Sequence, residues 1–395
     1  MIAIGLALGL AGSYFVVRRI RVESLSASCR EAIQSNDWDR LERCAEQWCW
    51  WDRGQATPQL YLAEAALQTE QYERAVELLD RLPDADLRTP AALSKRSSVL
   101  FERLNRPIEG AETLERAIRL DPKLVEARRR LIFFYAFTLQ RRRIRFHAYE
   151  AIRHDAELPE TYVYLMGSGW LSFGNAYELN GHWLRGNPDE ELFLVAGALH
   201  RIWTKAALED ETPGLQKGGG QDPDSVSHQR KLVAEYLQQF PQNLELLAYF
   251  LEQKSASGDA EGVADLLSRA PAEAAEDNRF WRYQGWLHAA RGELAEAEKS
   301  YRQALSLNCY DYLTRFQLAG VLRRLRRLDE VKALEEQWRE GRELRRAVLQ
   351  SPSVDKVPMA IMRRIARHAR SCGDDLAAGK LERRFLQWAG NQAKR

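Results

Sequence analysis

The sequence is poor in the features that mark most secreted domains and most enzymes. Its five cysteines, Cys29, Cys44, Cys49, Cys309 and Cys372, are an odd number with no CxxC pair, which argues against a disulfide framework and against a structural zinc site. Proline is scarce, 13 in 395 residues, and no stretch alternates apolar and polar residues as a half-buried strand must. Neither sign of charge dominates: 58 Lys and Arg against 56 Asp and Glu leave a net charge of +2, so bulk electrostatics supplies no pull towards nucleic acid.

Catalytic motifs are missing as well. The glycines Gly218 to Gly220 after Lys217 lack the GxxxxGK[ST] order that cradles phosphate, and Gly167, Gly169 and Gly174 follow no strand, so neither group reads as a nucleotide site. His147 and His154 are seven residues apart on one expected helix, too far for the i, i+4 metal pair of HExxH, and read as isolated surface histidines. The expectation is a chain that is no enzyme, with no cofactor and no metal.

What the sequence does contain is helix. Hydrophobic residues make up 45% and charged residues 29%, with the Ala, Leu, Glu and Arg bias of helices, and after Ser24 apolar positions recur at helical spacing. A longer period lies over the first. Trp38 and Tyr72, Leu41 and Ala75, Ala117 and Ala151, and Gly258 and Gly292 are each 34 residues apart, a spacing typical of helical-hairpin repeats. The best single unit, Asn278 to about Asp311, carries Trp281 and Gly285 on its first helix and Gly292 at the turn. Ala297, Tyr301 and Ala304 follow on its second. A second unit closes on Ala117, Ile118, Arg119, Leu120, Asp121 and Pro122.

These residues resemble the tetratricopeptide-repeat family, whose units open on W-x2-L-G and close on A-x-x-L-D-P, with Gln284 and His288 here in place of the usual Leu and Tyr. The resemblance implies an all-α, right-handed superhelical solenoid of helix-turn-helix repeats. Phased on the landmarks, units begin near Val22, Ala56, Ala91, Val125, Glu160, Leu244, Asn278, Tyr312 and Met359. Residues 207–225, rich in Gly and Pro, read as a loop dividing a first arm, 23–206, from a second, 226–395. A further irregular insertion falls around Ser351 to Val357.

The amino terminus is separate. Ile2 to Val17 is uncharged and largely apolar, followed at once by Arg18, Arg19 and Arg21, so residues 1–22 are expected to form one transmembrane helix. By the positive-inside rule the repeats then face the cytoplasm, the alternative being repeats that are exported and tethered.

Solenoids of this kind leave a concave surface lined by first helices. Carried over from the family, the outward positions place Tyr61, Lys95, Arg96, Arg129, Arg130, Phe133, Phe137 and Tyr164 in the groove of the first arm. Tyr249, Arg282, Tyr283, Trp286 and Phe316 line that of the second. Cations interleaved with aromatics suit an acidic peptide, because Arg forks onto carboxylates. The implied function is a membrane-anchored scaffold holding protein or peptide partners; the alternative is a self-associating assembly protein with end faces at Trp48 to Trp51 or Phe385 to Trp388. The arginine runs Arg128 to Arg130, Arg141 to Arg143 with Arg145, and Arg323 to Arg327 read as solvated helix faces or contacts with anionic lipid. Nucleic acid is disfavoured, since no regular code of side chains per repeat is present.

Overall fold

The computed structural model describes the backbone of residues 2–52, 54–173, 175–211 and 226–392, and the side chains of 14–52, 54–173, 175–204 and 226–385. Gly174, the glycines 218–220 and Trp388 therefore lie outside the described residues or side chains. The chain divides between Ala127 and Arg128 into two compact units. The first contains α1 (Ile2–Gln34), α2 (Trp38–Trp51), α3 (Ala56–Gln68), α4 (Tyr72–Asp80), α5 (Thr89–Glu102) and α6 (Pro107–Leu120). The second starts within α7 (Val125–Phe137) and continues through α8 (Arg141–Arg153), α9 (Pro159–Gly167), α10 (Ala176–Leu184), α11 (Glu191–Glu211) and α12 (Val226–Gln239). It is completed by α13 (Leu244–Ala256), α14 (Ala260–Ser268), α15 (Asn278–Ala290), α16 (Leu294–Leu307), α17 (Tyr312–Arg324), α18 (Leu328–Leu349), α19 (Met359–Ser371) and α20 (Asp375–Gln392). Two 3₁₀ turns, Ala272–Glu276 and Val354–Lys356, interrupt the sequence of α-helices, and the described residues contain no strand.

The repeat period is written into the backbone. Left-handed residues stand at Asn36, Glu70, Asn105 and Leu139, and again at Gly258, Gly292 and Arg326, each at the turn of a hairpin and 34 or 35 residues from the last within its series. At these turns the helix ends in a Schellman arrangement: Glu293 N–H donates to His288 O at 2.9 Å, and Asp37 N–H to Ala32 O at 2.9 Å. Glycine takes this conformation without strain, and Asn tolerates it better than most residues. Asp37, Asn243, Asp259, Asp277 and Asp311 then cap the helices that follow, each accepting a backbone N–H.

Small residues set how closely the helices approach. A Cβ on Gly285 would stand 2.7 Å from the Tyr301 ring, so α15 and α16 meet only because position 285 has no side chain. Ala297 and Tyr301 are fully buried in one cluster with Leu318, Leu322 and Val331. Pro122 lies in the turn before α7, where Leu124 N–H donates to Asp121 O at 3.3 Å.

Helices α11 and α12, which lie on either side of residues 212–225, pack on each other, and the division into two compact units falls at 127/128. Within unit 2 the last hairpin returns to the start of the unit, α20 packing on α8 and α19 on α9. Tyr149 of α8 and Tyr310 before α17 both donate to Asp374, at 2.8 and 2.6 Å, Arg384 reaches Glu157 at 2.8 Å, and Lys380 pairs with Asp155.

Helix α1 runs unbroken through Val22. The apolar run expected to anchor the chain lies mostly among residues 1–13, outside the described side chains. Among the described residues no helix is long and apolar enough to cross a membrane.

Ala297→Trp is expected to destabilise the chain by about 1–3 kcal/mol or more, since overpacking a filled helix crossing forces strained rotamers. Lys299→Trp, two residues on and 80% exposed at its side chain, should leave the thermal melt nearly unchanged. Equal melting temperatures for the two variants would contradict the packing described.

Candidate functional site

The expected groove residues separate into those that the fold consumes and those that it leaves accessible. Arg96 belongs to the first group. It is 9% exposed and donates to Val76 O at 3.1 Å, to Glu109 at 2.5 Å and to Thr113, so it ties α4 and α6 to α5 instead of facing a ligand. Arg282 is likewise buried, paired with Asp311 at 3.0 Å and donating to the Tyr283 hydroxyl at 3.1 Å. Tyr283, Tyr249, Phe137 and Tyr164 are all buried. Their positions in the first helix meet the neighbouring hairpin, and a long side chain there is driven into packing by its apolar area. In unit 1, Lys95 pairs with Glu64 at 2.5 Å, and Tyr61 lies half-buried, 6.0 Å from the Trp48 ring. Trp286 is half-buried against the α13–α15 core, while Phe316 remains 49% exposed, 5.0 Å from Trp338.

In unit 2 four aromatics gather around one cavity of about 530 Å³. Phe133, 37% exposed, stacks on Phe137 at 4.0 Å; Phe137 stacks on Phe173 at 4.6 Å, and Tyr164 stands 6.0 Å from Phe173. Arg129 stands beside them, its Nε 3.1 Å from a Glu160 oxygen, with its side chain half exposed. Arg130 is half-buried and engaged within the fold. Val348, Leu349 and residues 351–355, the first part of the insertion expected from the sequence, form the facing wall. Phe173 was not among the expected residues. It sits between α9 and α10, outside any repeat template, and an aromatic in an irregular segment was the only signal it offered.

A buried ion network lies beneath a second cavity of about 440 Å³. Glu245 accepts from Arg141 at 3.0 Å and from Arg279 at 2.5 Å, and Arg279 also holds Asp277 at 2.6 Å. Burial alone would raise the Asp277 carboxyl, but the Arg279 guanidinium outweighs it and holds the group at about 2. Several arginines of the three runs are engaged within the fold. Arg128, Arg141 and Arg145 are buried, Arg142 pairs with Glu276, Arg323 with Glu335, and Arg327 with Glu298. His147, expected at the surface, is 1% exposed and stacks on Tyr135 at 5.2 Å.

Helical hairpins recurring at 34 residues, with small residues at their crossings, make this an all-α helical-repeat protein. No protein-family model matches the sequence, and no curated protein matches it. Among solved structures it is similar to a tetratricopeptide repeat protein from Parabacteroides merdae at 10% identity, over 76% of this chain and 99% of that one, with a TM-score of 0.28. It is similar also to yeast Tom70 at 12% identity over 92% and 75%, TM-score 0.28. A third likeness, at 13% identity over 93% and 87% with a TM-score of 0.33, is to the APC/C hetero-tetramer Cut9–Hcn1. The repeat class rests on the hairpins themselves.

Acid should loosen unit 2 in two stages. Burial holds His200 and His368 at about 4, so below an unfolded value near 6.5 only the unfolded chain takes up their protons. Stability falls as pH drops from about 6.5 to 4, by at most about 1.4 kcal/mol per pH unit per histidine. The depressed Asp277 adds a further loss from about pH 4 towards 2. Urea midpoints measured across this range should decline from pH 6.5, and His368→Leu should flatten the first stage; a midpoint constant from pH 7 to 4 would contradict the burial of both rings.

Proposed function

We propose that the chain is a non-catalytic scaffold that holds partner proteins, taking an extended partner segment into the aromatic cavity of unit 2. The observation that carries this reading is the wall of Phe133, Phe137, Phe173 and Tyr164 with Arg129 at its edge. Aromatic anchoring pockets with an adjacent arginine are where binding energy concentrates at protein interfaces, because a side chain buried there is desolvated while a carboxylate on the same segment meets a guanidinium. The partner is a protein or peptide with acidic character.

The same reading makes the chain a single-pass membrane protein, held by Ile2 to Val17 with the repeats on the cytoplasmic side of Arg18, Arg19 and Arg21. The continuous α1 supports it: Phe15, Val16 and Ile20 are 63%, 59% and 60% exposed on the stretch that follows the apolar run. Trp50, 63% exposed at the end of α2, packs 4.8 Å from Trp51, which stands 6.4 Å from Tyr14 of α1, and tryptophan is the amphipathic type enriched at lipid headgroups. The full chain should stay with membranes through a carbonate wash, and its repeats should resist protease added to intact cells stripped of their walls. Release into the soluble fraction would contradict the anchor, and digestion would reverse the topology.

Phe133→Glu tests the site. Partners captured from native membranes by the wild-type chain should be lost by about tenfold or more, while Leu313→Glu, which alters a residue of similar exposure at 38%, retains them. Identical capture by Phe133→Glu, with the melt unchanged, would remove the cavity from the account.

A further inference from the structure

The insertion between α18 and α19 sits on the candidate site. Turn residues Arg326 and Gly373 are 47 residues apart, where neighbouring turns are 34 or 35 apart. The additional residues lengthen α18 to 22 residues and add the segment 350–358. That segment meets α9. Helix α9 is a first helix, whose outward face should line the groove, yet it is buried at every position from Glu160 to Gly167. Helix α19 and the 3₁₀ turn Val354–Lys356 cover it.

The segment has the form of a bound peptide. Ser353 and Val357 are extended and the turn between them spans three residues, with Pro352 and Pro358 on either side. Among the described residues its backbone hydrogen bonds are local, Ser351 N–H to Val348 O at 3.0 Å and Lys356 N–H to Ser353 O at 3.1 Å. Nothing in its backbone therefore ties it to α9. Val354 is half-buried at the aromatic cavity, and the exposed Asp355 stands on the same wall, opposite Arg129. The Asp355 carboxyl lies below its ordinary value, first through the Ser353 side chain and its own backbone, then through the charges of Lys356 and Arg129.

We propose that residues 351–357 are the chain's own occupant of this groove, and that its external ligand is a partner segment of the same chemistry, a small apolar residue followed by a carboxylate, which must displace them. This deepens the scaffold reading and rests on it. A segment tethered in place competes at an effective concentration near the millimolar range, so only a partner presenting several such contacts, or a high local concentration, opens the site. The backbone hydrogen bonds of the segment are local, the character of segments that detach at low cost.

The test uses the full chain and a fluorescent synthetic peptide with the sequence of residues 349–358. Replacing Ser353→Gly, Val354→Gly and Asp355→Gly together should empty the groove and strengthen peptide binding by about tenfold or more over wild type, read by anisotropy. In that background Arg129→Glu should abolish binding, and a peptide with Lys in place of its Asp should recover it. Asp355→Lys alone, at an exposed position, keeps the experiment decisive where the triple replacement fails to fold: it should still strengthen binding severalfold. Equal binding by wild type and folded variants, or no binding by any of them, overturns the inference. The scaffold reading falls on a different result, unchanged partner capture by Phe133→Glu, so the two failures are distinguishable.

Discussion

Unit 2 depends on one buried carboxylate. Asp374, at the turn between α19 and α20, accepts from Tyr149 on α8 and from Tyr310 ahead of α17, while its second oxygen takes the Ala377 backbone N–H at 2.9 Å. Three stretches of chain, two of them 225 residues apart, converge on it. A carboxylate so placed is costly without partners, since an ionised group leaving water must be repaid by hydrogen bonds. Two phenols and an amide supply them, and the last hairpin can settle only where they meet.

The other features of the unit follow from that return. With α19 and α20 lying against α9 and α8, the outward face of α9 is covered, and the segment leading into α19 must pass over the aromatic cavity. Polar groups buried between α8, α13 and α15 have to be matched inside as well, and Arg141, Glu245, Arg279 and Asp277 do so as alternating charges. Removing one member of such a set costs far more than the set contributes, because it leaves a buried charge unpaired. The unit is therefore stiff at its centre.

The sequence discloses the repeats well and the site poorly, for a physical reason. Unit starts read from the 34-residue period fall on or within two residues of most first helices, Ala56, Val125, Leu244, Asn278, Tyr312 and Met359 among them, because turn geometry and helix crossings are local and recur. What lies against a given outward position is not local. Tyr164 occupies a groove position of the family, but a hairpin two hundred residues later folds towards its helix, and no periodicity encodes that contact. Arg96 and Arg282 look like ligand-facing cations until their carboxylate partners, Glu109 and Asp311, are seen to lie within the fold. The insertion at Ser351 to Val357 was visible as a break in the pattern, and only the return of the chain gives it a place.

The return of the chain is tested most directly by zero-length carbodiimide cross-linking of the dilute full chain, which joins an amine to a carboxylate only where they already touch. Lys380 and Asp155 are 225 residues apart in sequence and paired in the fold. The expected result is a Lys380–Asp155 link in monomeric protein, at a yield comparable to that of the local pair Lys254–Asp259, 2.7 Å apart. Formation of the local link without the distant one would mean that unit 2 does not close on itself, and the covered groove would go with it.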